Sequence, residues 1–326
     1  MIRQLISSFQ IIFIGLALGY IIQILAKRNI FRLPFSLEKI RKNLQKISIL
    51  FFITITYIGV YWSMDFHQLK LFLFPFLGIF NLLLGGGIAV LIAKLTYMNN
   101  KDTGSFFCCG FFSNYVSIGG LICFMFLGEE AYALVPLYVL FIRIAYYMVG
   151  FPVAKYYSIK LNLQNQKVFN FKLIMKDSFV LFSLATIVIG LSLNVFGIER
   201  PAIYAPIISI FIPTSTILML FSIGLSMRFS EIKKYLKVEL LISGIKFLIV
   251  PVIMTSIGFL LGFHLINNGL PLKVILILSS TPVAFHALIP PSQYGLNLDL
   301  ANSCWIFTIF SLVLIIPVIS FLIHFI

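Results

Sequence analysis

The chain has 326 residues, of which 60% are hydrophobic and 10% charged, with a mean hydropathy of +1.06. A soluble domain carries roughly 45–50% apolar and about 25% charged residues, so this composition excludes a water-soluble protein and leaves no room for a separate soluble domain. The formal net charge of +14 does not point to nucleic acid, because the basic residues sit in short loops between apolar runs, where they report orientation in a membrane.

Ten apolar runs follow one another, beginning near Leu5, Ile47, Leu69, Ser105, Ala131, Leu173, Ile203, Leu236, Leu272 and Ala301. The first carries one basic residue, Arg3, and continues through Leu25, too long for the apolar core of a cleaved signal peptide. The main polar interruptions are Lys27 to Lys46 and Lys155 to Lys172. Runs of about 20 residues without polar alternation exceed a barrel strand, so each is expected to be a helix. The fold class is therefore an all-α integral membrane protein with about ten transmembrane helices.

Alternate loops divide the basic residues eighteen to four, with Arg143 and Lys246 left inside runs. The richer set includes Lys27, Arg28, Arg32, Lys39, Arg41 and Lys42 in one loop, Lys160, Lys167, Lys172 and Lys176 in another, and Arg228, Lys233 and Lys234 in a third. That bias predicts a multi-pass protein of the cell membrane (a bacterial inner membrane) with both termini outside. Five runs on each side of the central basic loop give two five-helix repeats of opposite orientation, a transporter plan. The expected boundaries are 1–155 for the first repeat, 156–172 for a cytoplasmic linker and 173–326 for the second repeat. The Lys39-Ile40-Arg41-Lys42 segment reads as a helix on the inner surface, drawn to anionic lipid.

Two runs are unsuited to unbroken helix. The fourth holds Ser113, Asn114, Tyr115, Ser117, Gly119 and Gly120; the ninth holds Thr281, Pro282, His286, Pro290 and Pro291. Each anomaly, Ser113-Asn114 or Thr281-Pro282, precedes a glycine, Gly128 or Gly295, by about 14 residues. Broken backbone at membrane depth is tolerated only inside protein or beside water, and paired breaks in two repeats point to a binding site. The half-helix N-termini suit an anion. Asn114 offers donors and acceptors at the break, for a carboxylate or a helix cap.

Arg143 and Lys246 are cations deep in the fifth and eighth runs. Asp65, Asp102, Glu129, Glu130 and Asp299 all fall near run ends, so helix-end carbonyls, water or an anionic substrate are the expected partners. His286 can bind substrate, carry a proton or hydrogen-bond within the break. Gly85-Gly86-Gly87 permits close helix packing. Cys108, Cys109, Cys123 and Cys304 show no CxxC or Cys/His spacing and read as buried thiols.

Asn114-Tyr115-Val116-Ser117-Ile118-Gly119 resembles the Asn-x4-Gly element of the auxin efflux carrier family, which includes plant auxin exporters and bacterial permeases. Thr281-Pro282-Val283-Ala284 with Gln293-Tyr294-Gly295 is similar to that family's second crossover. Phe221 to Ser226 resembles its seventh span, and Lys246-Phe247-Leu248-Ile249-Val250-Pro251 its Lys-x4-Pro. The chain departs from relatives at Ser113 and Leu121, where proline is frequent, and at His286, where asparagine is frequent.

The resemblance implies a bile-acid-symporter-like fold with crossed broken helices. Spans one, two, six and seven would form a scaffold, and the others a mobile core that moves as an elevator. It implies a substrate site of Asn114, Ser113, Tyr115, Pro282, His286, Arg143 and Lys246, with Gly119 and Gly120 as crossover glycines. The expected activity is secondary transport of a small organic anion or weak acid; bacterial relatives suggest malate or malonate. A membrane sensor that uses the same fold without turnover is the alternative. No nucleotide-binding motif, paired acids or metal cluster is present, so an enzyme, a cofactor and a metal are not expected. Expected partners are the anion and the lipid bilayer, with proton coupling and a homodimer as open options, and no nucleic acid.

Overall fold

The computed structural model describes residues 2–28, 30, 35–63, 69–159, 178–227, 229 and 232–326. Arg32, Asp65, Lys160, Lys167, Lys172, Lys176, Arg228 and most of the 156–172 linker lie outside the described residues. Among the described residues the chain is helical almost throughout, and seven stretches are long and apolar enough to cross a membrane. The protein is an all-helical, multi-pass membrane protein.

The helices are α1 (Ile2–Lys27), α2 (Leu37–Ser63), α3 (Phe74–Leu95), α4 (Asn100–Phe111), α5 (Gly120–Val139), α6 (Phe151–Ile159), α7 (Ser178–Val195), α8 (Tyr204–Gly224), α9 (Leu236–Leu260), α10 (Leu270–Ser279), α11 (Ile289–Tyr294) and α12 (Leu298–Leu322). Helix α2 starts ten residues before its apolar run. Ser36 caps it, accepting from Lys39 N at 3.3 Å, and its Leu37–Ile47 segment buries no residue. Gly128, at φ +81°, breaks α5 where the fourth run gives way to the fifth. This is a left-handed conformation that glycine adopts without a Cβ penalty.

Among the described residues four π-helical turns interrupt the regular helices, at Ser48–Ile53, Tyr115–Gly119, Tyr146–Gly150 and Ile245–Ile249. Such turns widen the hydrogen-bond ladder locally and concentrate at functional positions.

The chain forms two compact units. The first comprises residues 1–68, 116–136 and 175–227. Within it α1 and α8 meet on glycines: a Cβ on Gly19 would lie 2.2 Å from the Phe221 carbonyl, and one on Gly224 2.3 Å from that of Leu16. In a bilayer the apolar effect does not drive helices together, so this close backbone approach supplies the packing energy instead. Polar links complete the unit. Ser48 Oγ donates to Ser215 O at 2.9 Å, Trp62 Nε1 to Ile198 O at 2.6 Å, and Arg200 pairs with Glu129.

The second unit comprises residues 69–115, 137–174 and 228–326. It holds α3, α4, α6 and α9 to α12. Its core side chains include Phe74, Phe106, Phe111, Phe112, Tyr115, Tyr138 and Trp305, each at most 2% exposed. Outward-facing residues such as Leu260 and Leu314 are apolar and exposed, as a lipid-facing surface requires. All four cysteines are buried and unbridged.

Candidate functional site

The fourth and ninth runs are interrupted in mid-course, and the interruptions meet. Helix α4 stops at Phe111 and α10 at Ser279; extended backbone follows each. The two extended segments pair antiparallel at Ser113 and Val283. Asn114 N–H donates to Pro282 O at 3.0 Å, and Ala284 N–H donates to Phe112 O at 3.1 Å. Proline cannot donate, so Pro282 enters the pair through its carbonyl alone. A third donor, Val283 N–H, goes to Thr308 Oγ1 on α12 at 3.2 Å. Main-chain groups that lost their helical partners thus find new ones inside the unit, as a dry interior demands.

Helices α4 and α10 both bring their carbonyl ends to this crossing, and each end carries partial negative charge. The two are satisfied differently. At α4 the Lys246 ammonium donates to Gly110 O at 2.7 Å, to Ser113 Oγ at 2.6 Å and to Phe112 O at 3.4 Å. At α10 three hydroxyls fold back: Ser279 and Ser280 donate to Leu276 O at 3.1 and 2.8 Å, and Thr281 to Leu278 O at 2.8 Å. Lys246 is 2% exposed, and an ammonium has three donors, so the helix-end carbonyls and Ser113 occupy it fully. The π-helical turn Ile245–Ile249 is the segment that presents it.

Of the residues singled out in the sequence, Ser113, Asn114, Tyr115, Pro282, His286, Arg143 and Lys246 all belong to the second unit. Ser113, Asn114, Pro282 and Lys246 make the crossing itself. Tyr115, 2% exposed, accepts from Asn81 Nδ2 at 2.7 Å and stacks edge-on against Tyr138. His286 begins beyond the extended segment, in the short turn Phe285–Leu288, with its ring 5.8 Å from that of Tyr146. Tyr146 and His286 thus lie together in the unit, and Arg143 stands three residues before Tyr146. Gly119 and Gly120 lie outside the paired backbone: Gly119 ends the π-helical turn and Gly120 opens α5, both in the first unit.

Three contributors went unread in the sequence. Asn81 is the single amide within the α3 run, and that isolation is the signal that could have found it. Thr308 and Glu239 carry no such local signal. Glu239, which the sequence reading passed over, lies three residues into α9 and is fully buried.

Thr308→Val removes the acceptor of Val283 N–H while keeping the side-chain shape. A buried donor left unpaired costs about 1–3 kcal/mol, so a lower unfolding midpoint in detergent is expected. An unchanged midpoint would show that Thr308 does not hold the crossing.

The site and fold together define a multi-pass membrane protein built around two broken helices that pair through their main chains. No known family profile matches the chain. It is 28% identical over 141 residues to a protein of Methanothermobacter thermautotrophicus (strain Delta H) named "Uncharacterized transporter". The match covers 43% of this chain and 45% of that relative, so the aligned chain spans less than half of the relative's length.

Proposed function

We propose that the protein is a secondary transporter that moves a small organic anion or weak acid, such as a carboxylate, across the cell membrane. The observation that carries this reading is the reciprocal pairing of Phe112–Asn114 with Pro282–Ala284, which opens two helices at the middle of their runs. Irregular backbone in a bilayer is kept inside protein or beside water, and paired breaks in two runs point to a binding site. Lys246 is taken up by the α4 end, and the positive charge of Arg143 in the same unit favours an anionic solute. The transporter name of the archaeal relative agrees with this class. Inverted five-helix repeats, a bile-acid-symporter-like fold of the auxin efflux carrier kind and elevator-type alternating access complete the proposal, with both termini outside.

The test is flux of radiolabelled malonate and malate into proteoliposomes, compared between wild type and Asn114→Ala. The crossing uses the Asn114 main chain, which alanine retains, and flux is compared at equal amounts of correctly inserted protein. Flux of the variant should fall by about tenfold or more, the effect of losing one hydrogen bond of about 1.5–3 kcal/mol to a charged group. Wild-type flux in the alanine variant would remove Asn114 from the site. Tight carboxylate binding without flux in the wild type would favour a sensor.

A further inference from the structure

Helix α9 carries two buried ionisable side chains. Lys246 is satisfied by the crossing; Glu239 is not. Glu239 has no exposed surface, and neither carboxylate oxygen has a hydrogen-bond partner among the described residues. It sits one turn after Leu236, where α9 packs against α12 and α4. The Ser303 hydroxyl on α12 stands beside the carboxylate without meeting it in hydrogen-bond geometry. Ser243, one turn further along α9, and Ser105 on α4 also bury hydroxyls without partners.

An ionised carboxylate in this setting would be untenable. An isolated buried charge costs many kcal/mol unless it is paired or neutralised. The titratable groups that face Glu239 are Cys304 from α12 and Cys109 from α4 behind it, with Lys246 on its own helix. None compensates a negative charge there. The thiols are neutral, and Lys246 is seven residues away, about 10 Å along the helix, with its donors taken. At the near end, Tyr235 and Asp102 close on Asn297, while Lys234, Lys237 and Asp299 are exposed. The remaining way to hold Glu239 is as the neutral acid.

We propose that Glu239 is a proton-binding site: protonated in the conformation described here, and ionised when α4, α9 and α12 part enough to admit water. The O–H bond then breaks heterolytically, the electron pair stays on the carboxylate and the proton leaves as hydronium. The position suits exchange, because one helical turn separates Glu239 from the start of the α9 apolar stretch. Buried carboxylates in membrane helices are the usual proton carriers of pumps and transporters. If the protein is the transporter proposed above, a reading on which this step rests, Glu239 is its coupling site.

Infrared spectroscopy of the purified full chain at neutral pH tests protonation without any flux. Wild type should show a carboxylic-acid C=O band that shifts in D2O, because the carboxyl groups exposed to water are ionised and do not contribute. The band should vanish in Glu239→Gln and return, displaced, in Glu239→Asp. Glutamine mimics the neutral acid, so that variant should fold. Identical spectra in wild type and Glu239→Gln, or a glutamine variant that fails to insert and fold, would overturn the proposal in favour of an ionised, paired carboxylate. Coupling is then read from radiolabelled malonate in proteoliposomes. Glu239→Gln should keep exchange between the two sides and lose accumulation driven by a pH gradient, falling to the level of protein-free vesicles. Retained accumulation would overturn the coupling role. Absence of wild-type flux would count against the transporter reading alone, leaving the infrared result to decide the proton site.

Discussion

Replacing Lys246 with methionine should markedly lower the protein's thermal unfolding midpoint in detergent and reduce the yield of monodisperse material. Methionine fills most of the lysine volume, so the loss is electrostatic rather than a cavity. Gly110 O, Phe112 O and Ser113 Oγ would lose the donor they share, and a hydrogen bond to a charged group is worth about 1.5–3 kcal/mol. Phe112 O keeps the Ala284 N–H, but Gly110 O and Ser113 Oγ lose this donor together, so the expected cost is at least about 2 kcal/mol on that scale. Lys246→Arg should not restore stability, because a planar guanidinium does not fit a site built for a compact ammonium. A methionine variant that melts like wild type would show that water or a neighbouring hydroxyl serves the α4 end instead.

A comparable loss is expected from Gly85→Ala, with Gly87→Ala as its matched control. A Cβ at Gly85 would lie 2.4 Å from Gly110 O, the carbonyl that Lys246 also uses, while one at Gly87 meets nothing within 4 Å. Both residues lie in the same helix, so both gain the same helical preference of up to about 1 kcal/mol on becoming alanine. At Gly85 that gain is outweighed, because α3 and α4 must separate and the α4 end is carried off Lys246. Overpacking of this kind costs about 1–3 kcal/mol or more. Thermal scans of the two variants should move in opposite directions, or Gly87→Ala should leave the midpoint unchanged. A parallel fall in both would mean that the glycine run matters for flexibility and not for close approach.

The breaks were legible in the sequence because their causes are local. Pro282 removes a donor, and Ser113-Asn114 puts side chains that compete for main-chain groups into an apolar run. The identity of the Lys246 partner was less legible. The sequence narrowed it to carbonyls, water or substrate, and only the meeting of α4 with α9 decides among them. Glu239 escaped altogether, because three residues inside a run is an ordinary position for a solvated acid. Its burial comes from the faces of α4 and α12, far away in the chain, and no periodicity within α9 reports them. The helix at Lys39–Lys42 was legible from its basic residues, whereas its continuity with the apolar helix that follows was not, because Leu37–Ile47 buries nothing and rests on Ser36 capping.

The crossing of the fourth and ninth runs is fastened by amides and carbonyls, the atoms that every residue brings regardless of its side chain. Architecture and chemical preference are therefore carried by different parts of the same residues. A change of side chain at Asn114 or His286 alters the chemistry beside the crossing and leaves its main-chain bonds in place. The heritable constraint falls elsewhere: on Pro282, whose ring fixes the bend, on Lys246 and Thr308, which answer the freed main chain, and on Gly85, where any side chain would intrude. Such a scaffold lets the side chains around it change by single substitutions while its lock stays closed.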